Sequence, residues 1–421
     1  MSRQGTLPDL SRAVGEKVQQ GAGRASPNPG GTMAEYKVNK TVKEINERIR
    51  KGKAVVVNAE EMVAIVRKEG KVKAAQEIDV VTTGTFSPMC SSGLLFNIGQ
   101  QPPVMKVSRL WLNNVPCYSG IAAVDAYLGA TEPCEDDPLN KVHPGRFAYG
   151  GGHVMEDLLR GKAVHLRAEA YGTDCYPRKN LDKDITLADL PNAVMLNPRN
   201  CYQNYNAAVN LTSRTIYTYM GPLKANSSNV NFATAGQLSP MFNDPYCRII
   251  GMGTRIFLGG GIGYVIGEGT QHVQKPKRNE RGLPENPSGT LMLKGDFKQM
   301  KARYVRGQSL VGYGASLALG VGIPIPMLNE EMAWFTGVSD ADITMPVKDY
   351  GYDYPNGIPR ELTRASMEEL RSGEIMVNGK KTGTVPVTSY SMSLEVANKL
   401  KEWIEKGDFL LTEKVDDIPS F

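Results

Sequence analysis

From Thr41 onward the apolar positions follow two rhythms. Val42, Ile45 and Ile49 recur at helical spacing, residues 54–57 (AVVV) form an unbroken apolar run that reads as a buried strand, and residues 59–70 return to the helical period. Residues 79–83 read as a second short strand, running straight into the loop 84–93 (GTFSPMCSSG). Further strands are expected at 163–170, 193–196, 215–219, 255–258, 290–293, 343–347 and 383–387, with a helical turn at 187–190 and an amphipathic helix at 394–406. The polar, Pro-rich stretch 273–289 reads as an excursion loop within the domain. No repeat of about 20–50 residues is visible, which argues against solenoids and propellers. The pattern predicts an α/β protein: mixed sheets with many short strands and few long helices. Loops delivered by buried strands are where such enzymes tend to place reactive groups. The loops 84–93 and 171–178 (YGTDCYPR) are therefore the first places to look for chemistry.

Residues 1–34 are expected to be a disordered N-terminal extension, because up to residue 32 they are rich in Gly, Ser, Gln and Pro and show no periodic apolar face. Residues 35–421 would then form the folded domain. The formal net charge is only +5 over 421 residues, part of it in the extension, where Arg3, Arg12, Lys17 and Arg24 outnumber Asp9 and Glu16. So weak a bias leaves no basic footprint for DNA or RNA. The longest apolar stretches, such as 256–266, are short and broken by glycine, well below the roughly 20 residues that a spanning helix needs. A soluble, cytoplasmic protein is expected.

Six cysteines occur, at 90, 117, 134, 175, 201 and 247, none at CxxC spacing. That spacing argues against zinc knuckles, CxxC redox motifs and ferredoxin-type clusters, and a cytosolic location argues against disulfides. His143, His153, His165 and His272 show no HxxxH pairing, so no metal site is predicted. Cys175 is the leading candidate for a reactive thiol: it follows an apolar strand and precedes Pro177, Arg178 and Lys179, whose charges favour a thiolate, while Asp174 opposes it. Cys90 has a similar setting, with Ser91, Ser92 and Gly93 as potential hydroxyl and backbone donors to a thiolate or oxyanion. The same residues would equally suit a helix N-terminus capped by Ser91. Cys117, Cys134, Cys201 and Cys247 have aromatic or proline neighbours that suit packing, although Arg199 and the polar run 202–206 beside Cys201 could line a pocket. The run 259–269 (GGGIGYVIGEG) after a strand invites a nucleotide-binding reading, but it misses the third glycine of GxGxxG, with Ile266 in that place. Close backbone packing or a substrate cradle is the other reading of that run.

Taken together, GTFSPMCSSG, YGTDCYPRK, NPRNCYQNYN and GTRIFLGGGIGYVIGEGTQH resemble the homocysteine-biosynthesis family of methanogens and other anaerobes, the L-aspartate semialdehyde sulfurtransferases. The resemblance extends from about Tyr36 to beyond His272 and marks 35–421 as that family's catalytic domain. It implies a sulfurtransferase that makes homocysteine from aspartate semialdehyde and sulfide through a cysteine persulfide, with Cys175 as sulfur carrier and Cys90 as helper. Arg178 and Arg199 are assigned to the substrate carboxylate, for which arginine offers bidentate geometry. The sequence ends at Phe421 without the regulatory CBS pair of some relatives and has no cysteine cluster of its own. The resemblance therefore implies no tightly bound cofactor, an external reductant and a separate ferredoxin-like iron–sulfur partner, with homo-oligomerisation left open. Two other readings stand beside it: a persulfide carrier without aldehyde turnover, and a nucleotide-binding oxidoreductase using the glycine run.

Overall fold

The computed structural model describes residues 36–270, 275–353 and 356–419. The expected N-terminal extension, residues 1–34, lies outside these, as does His272. From Lys37 onward the described residues form one compact unit. The first helix, Val42–Arg50, begins at a capping box made by Thr41 and Glu44 and buries Val42, Ile45 and Ile49. Asn58 and Glu61 cap the next helix, Ala59–Glu69, in the same way, and Gly70 ends it at φ +79. Between them Val56–Asn58 pairs in parallel with Val80–Thr82, and Pro324–Pro326 adds antiparallel on the other side. This three-stranded sheet is small because its strands continue elsewhere.

Among the described residues the largest sheet has nine strands and is antiparallel throughout. Its order is Val305–Leu310, Gly314–Gly322, Arg255–Leu258, Gly261–Glu268, Leu291–Asp296, Ala193–Asn200, Gly93–Phe96 and Ala126–Gly129, with Thr85–Pro88 joining on Gly314–Gly322. Gly314–Gly322 is buried along almost its whole length, as a strand covered on both faces must be. Two strands pass from the small sheet to this one: Val80–Thr82 runs through Thr83 and Gly84 into Thr85–Pro88, and Gly314–Gly322 runs through Ile323 into Pro324–Pro326. At their crossing the Thr83 hydroxyl donates to the Ile323 carbonyl at 2.6 Å and accepts from the Ile323 N–H at 3.2 Å. The longest helix, Tyr390–Glu405, lies over the crossing, and its Ser393 hydroxyl accepts from the Phe86 N–H at 3.0 Å.

A six-stranded sheet holds Arg360–Ser366, Thr344–Asp349, Ala207–Val209, Val230–Phe232, Lys380–Pro386 and Glu374–Val377, with two parallel junctions among antiparallel ones. A four-stranded sheet, Val115–Cys117, Arg109–Leu112, Val164–Glu169 and Asn180–Ile185, and a hairpin of Ile216–Thr218 with Gly221–Leu223 complete the set. The molecule is thus mixed α/β with many short strands, as the apolar pattern predicts. No helix among the described residues is long and apolar enough to cross a membrane.

Three local expectations need correction. Residues 84–93 are not a loop but two strands, Thr85–Pro88 and Gly93–Phe96, joined by the turn 89–92. Residues 275–289 carry neither helix nor strand, in keeping with the expected excursion, whereas the C-terminal helix starts four residues earlier than predicted, at Tyr390, because Ser389 caps it. The glycine run opens no helix: Gly259 and Gly260, at φ +61 and +91, form the two-residue turn of a hairpin in which Leu258 faces Gly261. With no helix N-terminus behind it, the run offers no pyrophosphate cradle, and side chains at 259 or 260 would meet Val305, Met300 and Tyr304.

Candidate active site

The turn between the two short strands carries Cys90. The Ser92 N–H and hydroxyl both donate to the Met89 carbonyl, at 3.0 and 2.8 Å, and close a β-turn with Cys90 and Ser91 at its centre. That turn is anchored from three sides. Met89 N–H donates to the Leu317 carbonyl at 2.7 Å, Ala130 N–H donates to the Ser92 carbonyl at 2.9 Å, and the buried Asn197 amide donates to the Ser92 hydroxyl at 2.7 Å. No helix follows Cys90, so the capping reading of Ser91 does not apply. The Ser92 hydroxyl, expected as a donor to substrate, is committed to the turn itself. The two central N–H groups of the turn, those of Cys90 and Ser91, are not used in closing it. The half-buried Cys90 sulfur lies 3.1 Å from the hydroxyl oxygen of the buried Ser316, on the strand Gly314–Gly322.

Cys90 and Ser91 open onto a cleft of about 260 Å³. Its walls come from Thr85–Pro88, from the segment 199–205, from Tyr219 and Met220 at the tip of the small hairpin, from 233–239, and from Tyr313 and Thr388. Sequence positions separated by some 300 residues thus share one cavity. Among the described residues Arg199 is the charged lining residue, and the wall has no Asp, Glu, His or Lys. It is delivered by an irregularity in Ala193–Asn200, where the pairing with Leu291–Asp296 slips between Asn197 and Asn200. The Asn197 carbonyl oxygen of the side chain accepts from the Arg199 N–H at 3.2 Å, so one buried asparagine fixes both the cysteine turn and the arginine. The Arg199 guanidinium sits over the Tyr202 ring at 5.8 Å, and its buried Nε has no hydrogen-bond partner among the described residues. A half-buried cation of this kind attracts an anionic group.

Aromatic hydroxyls dominate the rest of the wall. Tyr202 and Tyr205 meet edge to face at 5.0 Å between centroids, and Tyr219 contacts Tyr205, Tyr313 and Tyr350 at 6.0–6.2 Å. Burial pushes the phenol pKa values of Tyr202, Tyr205, Tyr219 and Tyr313 up, so these groups stay protonated. For Tyr202 and Tyr313 the proximity of Arg199 pulls the value down and a charge on Cys90 pushes it up, which places thiol, cation and phenols in one electrostatic neighbourhood. One thiol, one guanidinium and neutral hydroxyls make a poor donor set for a metal cation and a suitable one for a small polar molecule carrying a carboxylate.

Cys175 and Arg178 are elsewhere. Cys175 is exposed in a turn closed by hydrogen bonds between Thr173 and Tyr176 at 2.9 and 3.2 Å, with its sulfur 3.5 Å from the Thr173 hydroxyl. The Arg178 N–H donates to the Val104 carbonyl at 3.2 Å, and Pro177 bridges to Met105, so the tip is fastened to a different part of the surface. Neither residue lines the cleft. Of the four residues singled out from the sequence, the fold brings Cys90 and Arg199 together and leaves Cys175 and Arg178 outside. Burial pushes the thiols of Cys117, Cys201 and Cys247 up, consistent with packing roles, and half-buried Cys134 donates to the Asn113 carbonyl at 3.7 Å.

The family model described as homocysteine biosynthesis enzyme, sulfur-incorporation, matches residues 54–411. The chain belongs to this homocysteine-biosynthesis family. Among its relatives, the L-aspartate semialdehyde sulfurtransferase of Methanocaldococcus jannaschii is 51% identical over 396 residues, covering 90% of this chain and 74% of that protein. The protein of the same description from Methanosarcina acetivorans is 49% identical over 384 residues, covering 90% and 72%. An uncharacterized protein of Methanothermobacter thermautotrophicus is 29% identical over 350 residues. No solved structure matches the chain. Within this homocysteine-biosynthesis chain, Asn197, Ser316, Tyr219 and Tyr313 went unpredicted from sequence, whereas Tyr202 and Tyr205 lie in the run expected to line a pocket. The local signal for those two was the polar, Tyr-rich run 202–206 beside Arg199.

Proposed function

We propose that the cleft binds L-aspartate semialdehyde, with its carboxylate on Arg199, and that Cys90 presents the sulfur to the aldehyde carbon. The observation that carries this reading is the half-buried Cys90 thiol at the centre of a tight turn, facing a cleft whose charged wall residue is Arg199. It exchanges the roles assigned from sequence: the cleft thiol Cys90 becomes the sulfur-bearing group at the substrate, and exposed Cys175 becomes the second thiol, which takes part by exchange. Carbon–sulfur bond formation at the aldehyde and loss of its oxygen as water lead to a thiol only if two electrons are added. Sulfide reaches the persulfide level only by opening a cysteine disulfide, whose S–S bond takes up the two electrons, and attack of the second thiol on that persulfide returns the disulfide as the carbon-bound sulfur leaves, so this loading adds nothing to the two-electron demand. The reaction therefore calls for an external reductant, and a ferredoxin-like protein is the partner this reading implies.

The test is anaerobic incubation of the protein with aspartate semialdehyde, sulfide and a chemical reductant, reading homocysteine. Cys90→Ser is expected to reduce turnover by at least about 10³-fold, as loss of a nucleophile does. Retained turnover would remove Cys90 from the chemistry. The exposure of Cys175 favours a second reading, a persulfide carrier that loads sulfur at its surface and hands it on. That carrier would gain about 32 mass units, roughly one sulfur atom, yet form no homocysteine from the aldehyde.

A further inference from the structure

The cleft holds four phenols, and they are not equivalent. Attack of sulfur on an aldehyde pushes the carbonyl electron pair onto oxygen, and that oxygen must be met by a donor and then protonated. Among the described residues the lining contains no carboxylic acid, imidazole or ammonium that could serve. Arg199 is already engaged by the carboxylate in the reading above, on which this inference rests. Of the lining serines and threonines, Ser87 and Thr388 are bonded to each other at 2.9 Å and Thr234 accepts from the Gly236 N–H at 3.0 Å, while the hydroxyls of Thr85, Ser91 and Ser239 are less acidic donors than a phenol. Among the phenols, Tyr219 is set apart by its oxygen, which lies 2.8 Å from the Tyr350 hydroxyl. Tyr350 lies outside the lining and is itself tied down, accepting from the Asn206 amide at 3.2 Å while its N–H donates to the Val209 carbonyl at 2.8 Å. A phenol that already accepts from an amide has its one proton left for Tyr219, and Tyr219, accepting it, has its own proton for the Tyr205 oxygen, to which it is also bonded, or for a substrate oxygen that takes that place.

In keeping with this order, burial raises the pKa of Tyr219, as do the charge and the hydrogen bond of Tyr205, while the bond from Tyr350 draws it down; the same bond raises Tyr350. The ring of Tyr219 is also the hub of the aromatic wall, in edge contact with Tyr205, Tyr313 and Tyr350, so its oxygen has little freedom to wander.

We infer that Tyr219, fixed and polarised by Tyr350, is the catalytic hydrogen-bond donor to the aldehyde oxygen. The carbon–sulfur bond forms as the carbonyl π bond breaks, and the Tyr219 proton passes to the new oxyanion to give a hydroxyl. The proton released from the attacking sulfur restores the phenol through solvent, since Tyr219 is 37% exposed. This step is redox-neutral and needs no further reactant. Tyr350 touches no substrate and acts as a positioning residue.

Homocysteine formation is measured with the full chain, aspartate semialdehyde, sulfide and titanium(III) citrate for wild type, Tyr219→Phe and Tyr350→Phe. Phenylalanine keeps each ring and its edge contacts, and an unchanged melting temperature checks the fold. Tyr219→Phe is expected to lower kcat by about 10²-fold, the cost of one oxyanion donor, with KM within about threefold. Tyr350→Phe is expected to lower kcat by roughly tenfold with the same split, an effect that simple loss of packing would not confine to kcat. A Tyr219→Phe enzyme within threefold of wild type in kcat, or one impaired only in KM, overturns the inference and leaves the aldehyde reading intact. A wild-type protein that makes no homocysteine removes that reading, and this inference with it.

Discussion

At the residue scale, one side chain organises two halves of the site. Asn197 is wholly buried and spends its amide on the Ser92 hydroxyl and its oxygen on the Arg199 N–H, so the cysteine turn and the guanidinium cannot move independently. Buried polar groups that are satisfied in this way specify geometry more than they add stability. His153 shows the opposite situation. Its Nδ1 is buried without a partner among the described residues, its Nε2 is 3.4 Å from the Ser309 hydroxyl, and its ring stacks on Tyr149 at 5.6 Å. Burial holds its pKa below the ordinary imidazole value, against the upward pull of Glu156 and Asp157. The unfolded chain therefore takes up this proton first on acidification. The associated stability is complete above about pH 6.5, the unfolded value, and is lost as pH falls through the lower folded value. His153→Phe, which keeps the stacking surface, is expected to shrink the drop in the urea midpoint between pH 7.5 and 5.5. An identical drop in the variant would exclude His153 as a source of acid sensitivity.

At the element scale, the site depends on how closely Tyr390–Glu405 approaches the strand crossing. Gly84 sits at the joint between Val80–Thr82 and Thr85–Pro88, and a Cβ there would collide with the Ser393 carbonyl of the helix. The glycine is thus required for contact between backbones, since its φ is not in the left-handed region. Gly84→Ala is expected to cost about 1–3 kcal/mol, as overpacking does, read as a lower denaturation midpoint at constant slope. A shift of less than about 0.5 kcal/mol would mean that the helix can slide away without loss. The same joint explains why residues 84–93 look like a loop in the sequence: four-residue strands separated by a turn give no stretch long enough to show alternation, and Ser87 and Pro88 lower the apparent strand propensity. Glycines 259 and 260 are a further case, where a ligand-binding pattern and a tight hairpin turn need the same residue type.

At the scale of the whole molecule, the two ends of the described chain are packed on one another. Asn46, in the first helix, exchanges hydrogen bonds with the backbone of Leu411 at 2.9 Å in both directions. Phe409 is fully buried in the same cluster as Val42, Ile45 and Ile49, stacked near Trp403 and beneath the Arg255 guanidinium at 4.7 Å. Phe409→Ala should therefore destabilise by about 3–5 kcal/mol. Because the unit is compact, unfolding followed by circular dichroism and by alkylation of Cys90 should shift together; a Cys90 transition that stays in place would reveal an independent subdomain. By itself, the order of apolar and polar residues determined the first two helices, the mixed class of the fold and the two cysteine-bearing segments, because these depend on neighbours a few positions away. Only the tertiary structure decided that Cys90 shares a cleft with Arg199 and four tyrosines, while Cys175 stands on a separate surface turn. Both cysteines follow a strand and sit within a polar turn, and local sequence carries no record of which turn faces inward. That choice is made by the pairing of strands hundreds of residues apart and by the buried groups that pin them.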